Sequence, residues 1–274
     1  MERFDHILFP VDFSDRCFAA GPAVAAMARR FRAQVTLLHV LNMPPGAYQD
    51  WYAYLNLVDR QSMQAEIERG LHRFLVEQFS GVDARRVLAD GEPAAAIAKF
   101  AADQAVDLVM LPTRGHGRFR SVLLGSVTAK VLHDCNVPVW TEAHLEEAAP
   151  PLEYRSVACA VDLTSRTPGV LRWGRRMAEA FGARLTAIYA DDDGTQASAT
   201  QAEELFAGYA RDAGVEIGLD VAPGSPSDAL LDAVSTRGAD LLVMGRGESR
   251  ERLGRLRTHS MQIVGHAGCP VLSV

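Results

Sequence analysis

His6-Ile-Leu-Phe-Pro-Val-Asp-Phe-Ser14 is answered later in the chain by Ser156-Val-Ala-Cys-Ala-Val-Asp-Leu-Thr164. The echo continues in order. Ala33-Gln-Val-Thr-Leu-Leu-His-Val40 is matched by Ala183-Arg-Leu-Thr-Ala-Ile-Tyr-Ala190, and Asp107-Leu-Val-Met-Leu-Pro112 by Asp240-Leu-Leu-Val-Met-Gly245. Asn136-Val-Pro-Val-Trp140 is matched by Gly268-Cys-Pro-Val-Leu272. A period this long marks a duplicated domain rather than a solenoid unit. The reading is two domains, residues 1–143 and 153–274, within a 274-residue chain, and each is long enough to bury its own core.

Working outward from the echo, each half alternates short β-rich runs with helical patterns. Strands are expected at 6–11, 34–41, 84–89, 108–111 and 137–141, then at 156–161, 184–190, 215–222, 241–244 and 270–273. Their apolar cores are nearly continuous, as for strands covered on both faces. Helices are expected near 15–31, 59–80, 92–104 and 122–134, with Pro93 suited to a first helical turn. Strand–helix alternation predicts parallel sheets with right-handed crossovers. Glu142–Glu153, acidic and carrying Pro150-Pro151, reads as a solvated linker.

The halves differ in length at one place. Asp12 and Asp162 lie 150 residues apart but Asp107 and Asp240 lie 133 apart, so the first half has 17 more residues between its second and third strands. That stretch includes residues 42–60, with Pro44-Pro45-Gly46, Tyr48, Trp51, Tyr52 and Tyr54. It reads either as a packed surface loop or as a lid or protein-docking loop.

Composition excludes several classes. A net charge of −6, from 28 basic and 34 acidic residues, argues against general nucleic-acid binding. No apolar run reaches the length of a spanning helix and no secretory signal is visible, so a cytoplasmic protein without membrane association is expected. Cys17, Cys135, Cys159 and Cys269 are scattered and read as buried reduced thiols. No histidine motif calls for a structural metal.

Two stretches carry candidate chemistry. The first is Pro10-Val11-Asp12, echoed by Ala160-Val161-Asp162. Carboxyl ends of parallel strands line the ligand crevice of such sheets. An aspartate there can accept from a ribose hydroxyl or a base amine, or it can cap the next helix. The second stretch is Pro112-Thr-Arg114-Gly115-His-Gly117-Arg118-Phe-Arg120, followed by Gly125-Ser126-Val127 at a helix start. Glycines let backbone N–H groups approach an anion, the helix terminus adds its dipole, and arginines neutralise charge. The stretch contains neither a Walker loop nor a complete dinucleotide fingerprint.

Together these residues resemble the universal stress protein family in its tandem, UspA-like form, and the resemblance runs over nearly the whole chain. It implies two five-stranded α/β domains of flavodoxin/adenine-nucleotide-hydrolase-like plan, strand order 3-2-1-4-5. It also implies an intramolecular pseudo-dimer in which Val137–Trp140 and Pro270–Ser273 pair antiparallel; further homodimer formation stays open. The implied activity is that of a stress-response sensor or regulator rather than an enzyme, a slow ATPase being the limit. The implied cofactor is ATP or another adenine nucleotide, with or without Mg, held chiefly in the first domain. Asp12 would meet adenosine, and Pro10, Val11 and Val40 would wall the base. Arg114, Gly115, Arg118, Gly125, Ser126 and Val127 would hold phosphates.

The family's nucleotide-binding members carry G-x-x-G, nine residues, then G-[ST]. Here the interval from Gly115 to Gly125-Ser126 is intact, but Pro112 replaces the first glycine and offers no N–H. In the second half Glu248 replaces the second glycine and Thr258-His259 replace Gly-Ser, which reads as a degenerate site. Arg246, Arg250, Arg252, Arg255 and Arg257 either offset that carboxylate or form a solvated face. A non-nucleotide scaffold working through the aromatic loop and the pseudo-dimer surface is the alternative function.

Overall fold

The computed structural model describes residues 4–42, 57–113, 124–142, 153–246 and 255–274. The chain divides into two compact units. Unit 1 runs from the amino-terminal strand through the fourth strand and takes in Ser126–Val137; unit 2 includes Pro138–Val274.

Unit 1 is built on β1 (His6–Pro10), β2 (Gln34–Leu41), β3 (Ala84–Asp90) and β4 (Leu108–Pro112). Their order is β3-β2-β1-β4 and every pairing is parallel. The apolar runs of β1 and β4 are buried along almost their whole length, as strands covered on both faces must be. Helices α1 (Asp15–Phe31), α2 (Leu57–Arg73), α3 (Pro93–Asp103) and α4 (Ser126–Asp134) alternate with them. Ser14 caps α1, its hydroxyl accepting from Cys17 N–H at 3.2 Å. Glu92 caps α3 by accepting from Ala95 N–H at 2.9 Å, with Pro93 in the first turn.

Unit 2 contains β5 (Val139–Glu142), β6 (Ser156–Ala160), β7 (Arg184–Asp191), β8 (Leu219–Pro223), β9 (Leu241–Met244) and β10 (Val271–Ser273). Its helices are α5 (Thr167–Phe181), α6 (Gln196–Ala213), α7 (Pro226–Thr236) and α8 (Arg255–His266). The strand order is β5-β10-β9-β6-β7-β8, so the second repeat completes the expected 3-2-1-4-5 arrangement as β8-β7-β6-β9-β10. Among the described residues the one antiparallel pair is β5 with β10, matching Val139 to Ser273, Trp140 to Leu272 and Thr141 to Val271. The closing strands of the two repeats therefore meet as the resemblance implied. The fifth strand of the first repeat lies in unit 2, and it starts after Pro138, which has no N–H for a ladder.

The same contacts recur in both repeats. Asp107 Oδ2 accepts from the backbone N–H groups of Asp5 and His6, both at 2.8 Å; Asp240 Oδ2 accepts from those of Arg155 and Ser156 at 2.7 and 3.0 Å. Each clamp fixes the start of a central strand against its parallel neighbour.

Two expectations are revised. Glu142 does not open a solvated linker; it is the last residue of β5 and fully buried. The stretch expected as strand 215–222 enters the sheet only at Leu219.

Candidate functional site

In unit 1 the carboxyl ends of β1, β2 and β4 carry the residues singled out from the sequence. Pro10 and Val11 are buried, and Val11 N–H donates to Leu38 O at 2.8 Å. His39 Nδ1 bonds Val11 O at 2.7 Å, which requires a proton on Nδ1. Asp12 Oδ1 accepts from Ser14 N–H and from the Cys17 thiol, both at 3.0 Å. Burial, and next the Asp12 carboxylate, push the Cys17 thiol up to about 12, so it stays protonated and donates. Ser14, not Asp12, caps α1; Asp12 shapes the turn that delivers the cap. Phe13 sits between them at φ 61°, and its counterpart Leu163 at φ 54°. Bulky residues rarely hold this left-handed conformation, so the same strained turn is built twice. Phe13 is held there by its packing on His39 and Phe74.

Val40, near the end of β2, is half-buried and registers against Ala89. Pro112 closes β4, and its carbonyl accepts from the Thr128 hydroxyl at 3.1 Å, tying the first turn of α4 to the strand. Gly125 directly precedes α4, and Ser126 and Val127 are its first two residues. Their N–H groups, with that of Thr128, belong to the first turn, which has no intrahelical acceptor. Lys130 in the same helix pairs with Glu92 at 3.0 Å. The Glu92 carboxyl is held below the ordinary range, first by Ala95 N–H and then by Lys130. Arg114, Gly115 and Arg118 lie outside the described residues, as do residues 43–56 of the aromatic loop and Glu248.

Unit 2 has a pocket of about 490 Å³ at the carboxyl ends of β6, β7 and β9. Val161, Val170, Ile188, Leu230, Met244 and Ile263 form its apolar wall. Its polar side includes Asp162 and Arg166, which pair at 3.3 Å. Asp162 Oδ1 is filled by the N–H and hydroxyl of Thr164, at 3.2 and 2.7 Å, and by the Thr167 hydroxyl at 3.4 Å. Asp191 is buried, accepting from the Ser198 hydroxyl at 2.5 Å and from Asp193 N–H at 3.1 Å. Asp192 and Asp193 are exposed at the rim. Burial, and then Asp191 and Asp192, raise the Tyr189 phenol. His259 also lines the pocket, and its Nδ1 is bonded to the Ser227 hydroxyl at 2.6 Å.

The Asp191–Asp193 run, Arg166 and Ser227 escaped the sequence reading, and His259 entered it only as a departure from Gly-Ser. The 150-residue offset between the repeats places Asp191-Asp192-Asp193 against Leu41-Asn42-Met43, and that mismatch was the available signal. Among the described residues, no three His, Cys, Asp or Glu side chains are grouped to hold a metal ion. None of the described helices is long and apolar enough to cross a membrane.

The universal stress protein family model matches residues 3–141 and again 153–274. The universal stress protein MJ0577 of Methanocaldococcus jannaschii is 27% identical over 150 residues, covering 50% of this chain and 93% of that protein. A universal stress protein of Thermus aquaticus is 29% identical over 137 residues, covering 50% of this chain and 96% of its own length. A universal stress protein structure from Archaeoglobus fulgidus is similar over 99% of this chain and 96% of its own, with a TM-score of 0.73 and 23% identity, a likeness of fold.

Proposed function

Because the chain belongs to the universal stress protein family, we propose that it is a cytosolic stress-response sensor or regulator that binds ATP or a related adenine nucleotide in unit 1. One observation carries this reading. Helix α4 begins at Ser126, immediately after Gly125, with its amino terminus anchored to the end of β4 through Thr128 and Pro112. The first-turn amides of Ser126–Thr128 and the helix dipole then offer an anion site beside the carboxyl end of a parallel strand, where a ligand is expected. Asp12 stands at the end of neighbouring β1 to accept from the nucleoside. Pro10, Val11 and Val40 supply apolar wall. The residues present fit a nucleotide whose phosphates lie at Ser126–Thr128 and whose nucleoside lies toward Asp12. Pro112 removes one donor, and the α4 amides remain.

Calorimetric titration of the full chain with ATP, ADP, AMP and cyclic AMP tests the proposal, with Ser126→Asp as the diagnostic variant. A carboxylate in a first helical turn favours the helix, so the fold should persist while phosphate is repelled. The expected result is ATP affinity reduced more than about tenfold at an undiminished melting temperature. If the native chain binds none of the four at millimolar concentration, the nucleotide reading fails and the scaffold reading replaces it.

A further inference from the structure

We propose that the pocket of unit 2 takes a phosphate-free ligand of the nucleoside class, a planar base on a sugar, and rejects nucleotides. The nucleoside class rests on the adenine-nucleotide reading above; the rejection of phosphate stands on the geometry of unit 2.

The first observation is where the helix starts. The 133-residue offset that carries Asp107 to Asp240 carries Ser126 to His259. In unit 1 the helix begins at Ser126, so that position belongs to the turn with unbonded amides. In unit 2 the helix begins at Arg255, four positions earlier in the repeat. The N–H groups of His259 and Ser260 therefore fall past the first turn, inside the hydrogen-bonded ladder. At the pocket, α8 presents side chains of later turns (His259, Ser260 and Ile263) in place of an anion-binding terminus. The His259 ring is itself engaged with Ser227.

The second observation is charge. Asp162, Asp191, Asp192 and Asp193 all line the pocket. The last three replace Leu41, Asn42 and Met43 of the first repeat. Arg166 is the cation among the described lining residues, and it is bonded to Asp162. Asp192 and Asp193 stand exposed at the rim, so their repulsion of phosphate is strongest at low ionic strength.

The third observation is capacity. A volume of about 490 Å³ lies in the range of small-molecule sites. Val161, Ile188 and Met244 offer a wall for a flat ring, and the rim carboxylates of Asp192 and Asp193 accept from hydroxyl groups. The duplicated site has thus kept the half that holds a nucleoside and lost the half that holds phosphate.

Hydrogen exchange of the full chain, read by peptide in separate incubations with adenosine, AMP and ATP, tests this. Adenosine should slow exchange at Ala187–Asp193 and in α8, with AMP weaker and ATP at least about tenfold weaker than adenosine. The double variant Asp192→Lys, Asp193→Lys should raise the affinity for AMP relative to adenosine at these peptides about tenfold, because both ligands lose the hydroxyl acceptors and only AMP is relieved of repulsion. Protection of the same peptides by ATP at or below the adenosine concentration would overturn the proposal, as would no protection by millimolar adenosine. Peptides around Asp12 and Ser126 report on unit 1 in the same experiment. Protection there by ATP, with unit 2 silent to adenosine, sinks only this inference; no protection there sinks the nucleotide reading itself.

Discussion

The indole N–H of Trp140 donates to Glu142 Oε1 at 2.7 Å, two residues along β5, and both side chains are buried. Glu142 Oε2 finds no partner among the described residues. Burial pushes this carboxyl from 4.5 up to about 7, against the opposing effect of the Trp140 bond. Tyr154, which packs on Trp140, is raised by burial and then by Glu142, Cys269 and Asp240. Between about pH 4.5 and 7 the folded chain holds one more proton at Glu142 than the unfolded chain. Stability from this group is therefore full below that window, falls through it and is level above it. The loss is on the order of 3 kcal/mol. Glu142→Gln keeps an acceptor for Trp140 and removes the titration. Unfolding free energies from urea at pH 5 and pH 8 should diverge in the native chain by about 2–3 kcal/mol more than in the variant; equal divergence would place the titrating group elsewhere.

Asp12 has a structural duty that any binding experiment must respect. Its Oδ1 accepts from Ser14 N–H and the Cys17 thiol, so Asp12→Ala should cost about 1–2 kcal/mol whatever happens to ligand. Asp12→Asn retains an acceptor and removes the charge. It should leave the melting temperature nearly unchanged, lower the Cys17 pKa by removing the Asp12 carboxylate, and weaken ATP binding about tenfold or more. Thiol reactivity against pH, read beside calorimetry, separates the two roles. Unaltered ATP affinity in the Asn variant would take Asp12 out of the site.

Pro112→Gly restores an N–H at the end of β4 and keeps the carbonyl that Thr128 engages. ATP affinity should rise about tenfold or more, the worth of one added hydrogen bond to a charged group. The freer chain should lower stability by about 1 kcal/mol. Titration of both proteins at one salt concentration provides the comparison. A fall in affinity would mean that the proline preshapes the loop.

Gly174 in α5 lies so close to β6 that an added Cβ would overlap the Cys159 sulfur. Gly174→Ala should cost about 1–3 kcal/mol through overpacking. Cys159→Ala in the same chain removes the overlapping atom and should recover part of that loss. Denaturant unfolding of the two single variants and the double variant gives the coupling. Additive losses would show that helix and strand separate freely.

Much of this architecture was legible as pattern. The repeat, the buried runs at Ile7–Phe9 and Val109–Leu111, and the limits of α1 follow from local periodicity and from caps that act within one turn. The candidate site was legible only in part. Asp12 could be read as a cap or as a ligand contact, and the hydrogen bonds made by Ser14 and Cys17 added a third role that depends on how the turn closes. The sequence by itself determined that there are two α/β repeats and that the second site has drifted; the strand order came through the family resemblance. Only the tertiary structure decided the register that sets Trp140 against Leu272, that Glu142 is buried, and that a pocket of carboxylates and apolar wall survives where the phosphate motif has gone. The physical reason is range. Strand and helix patterns are written in neighbouring residues, whereas an antiparallel partner 130 residues away, a desolvated carboxyl and the turn of a helix that faces a cleft depend on contacts no local window contains.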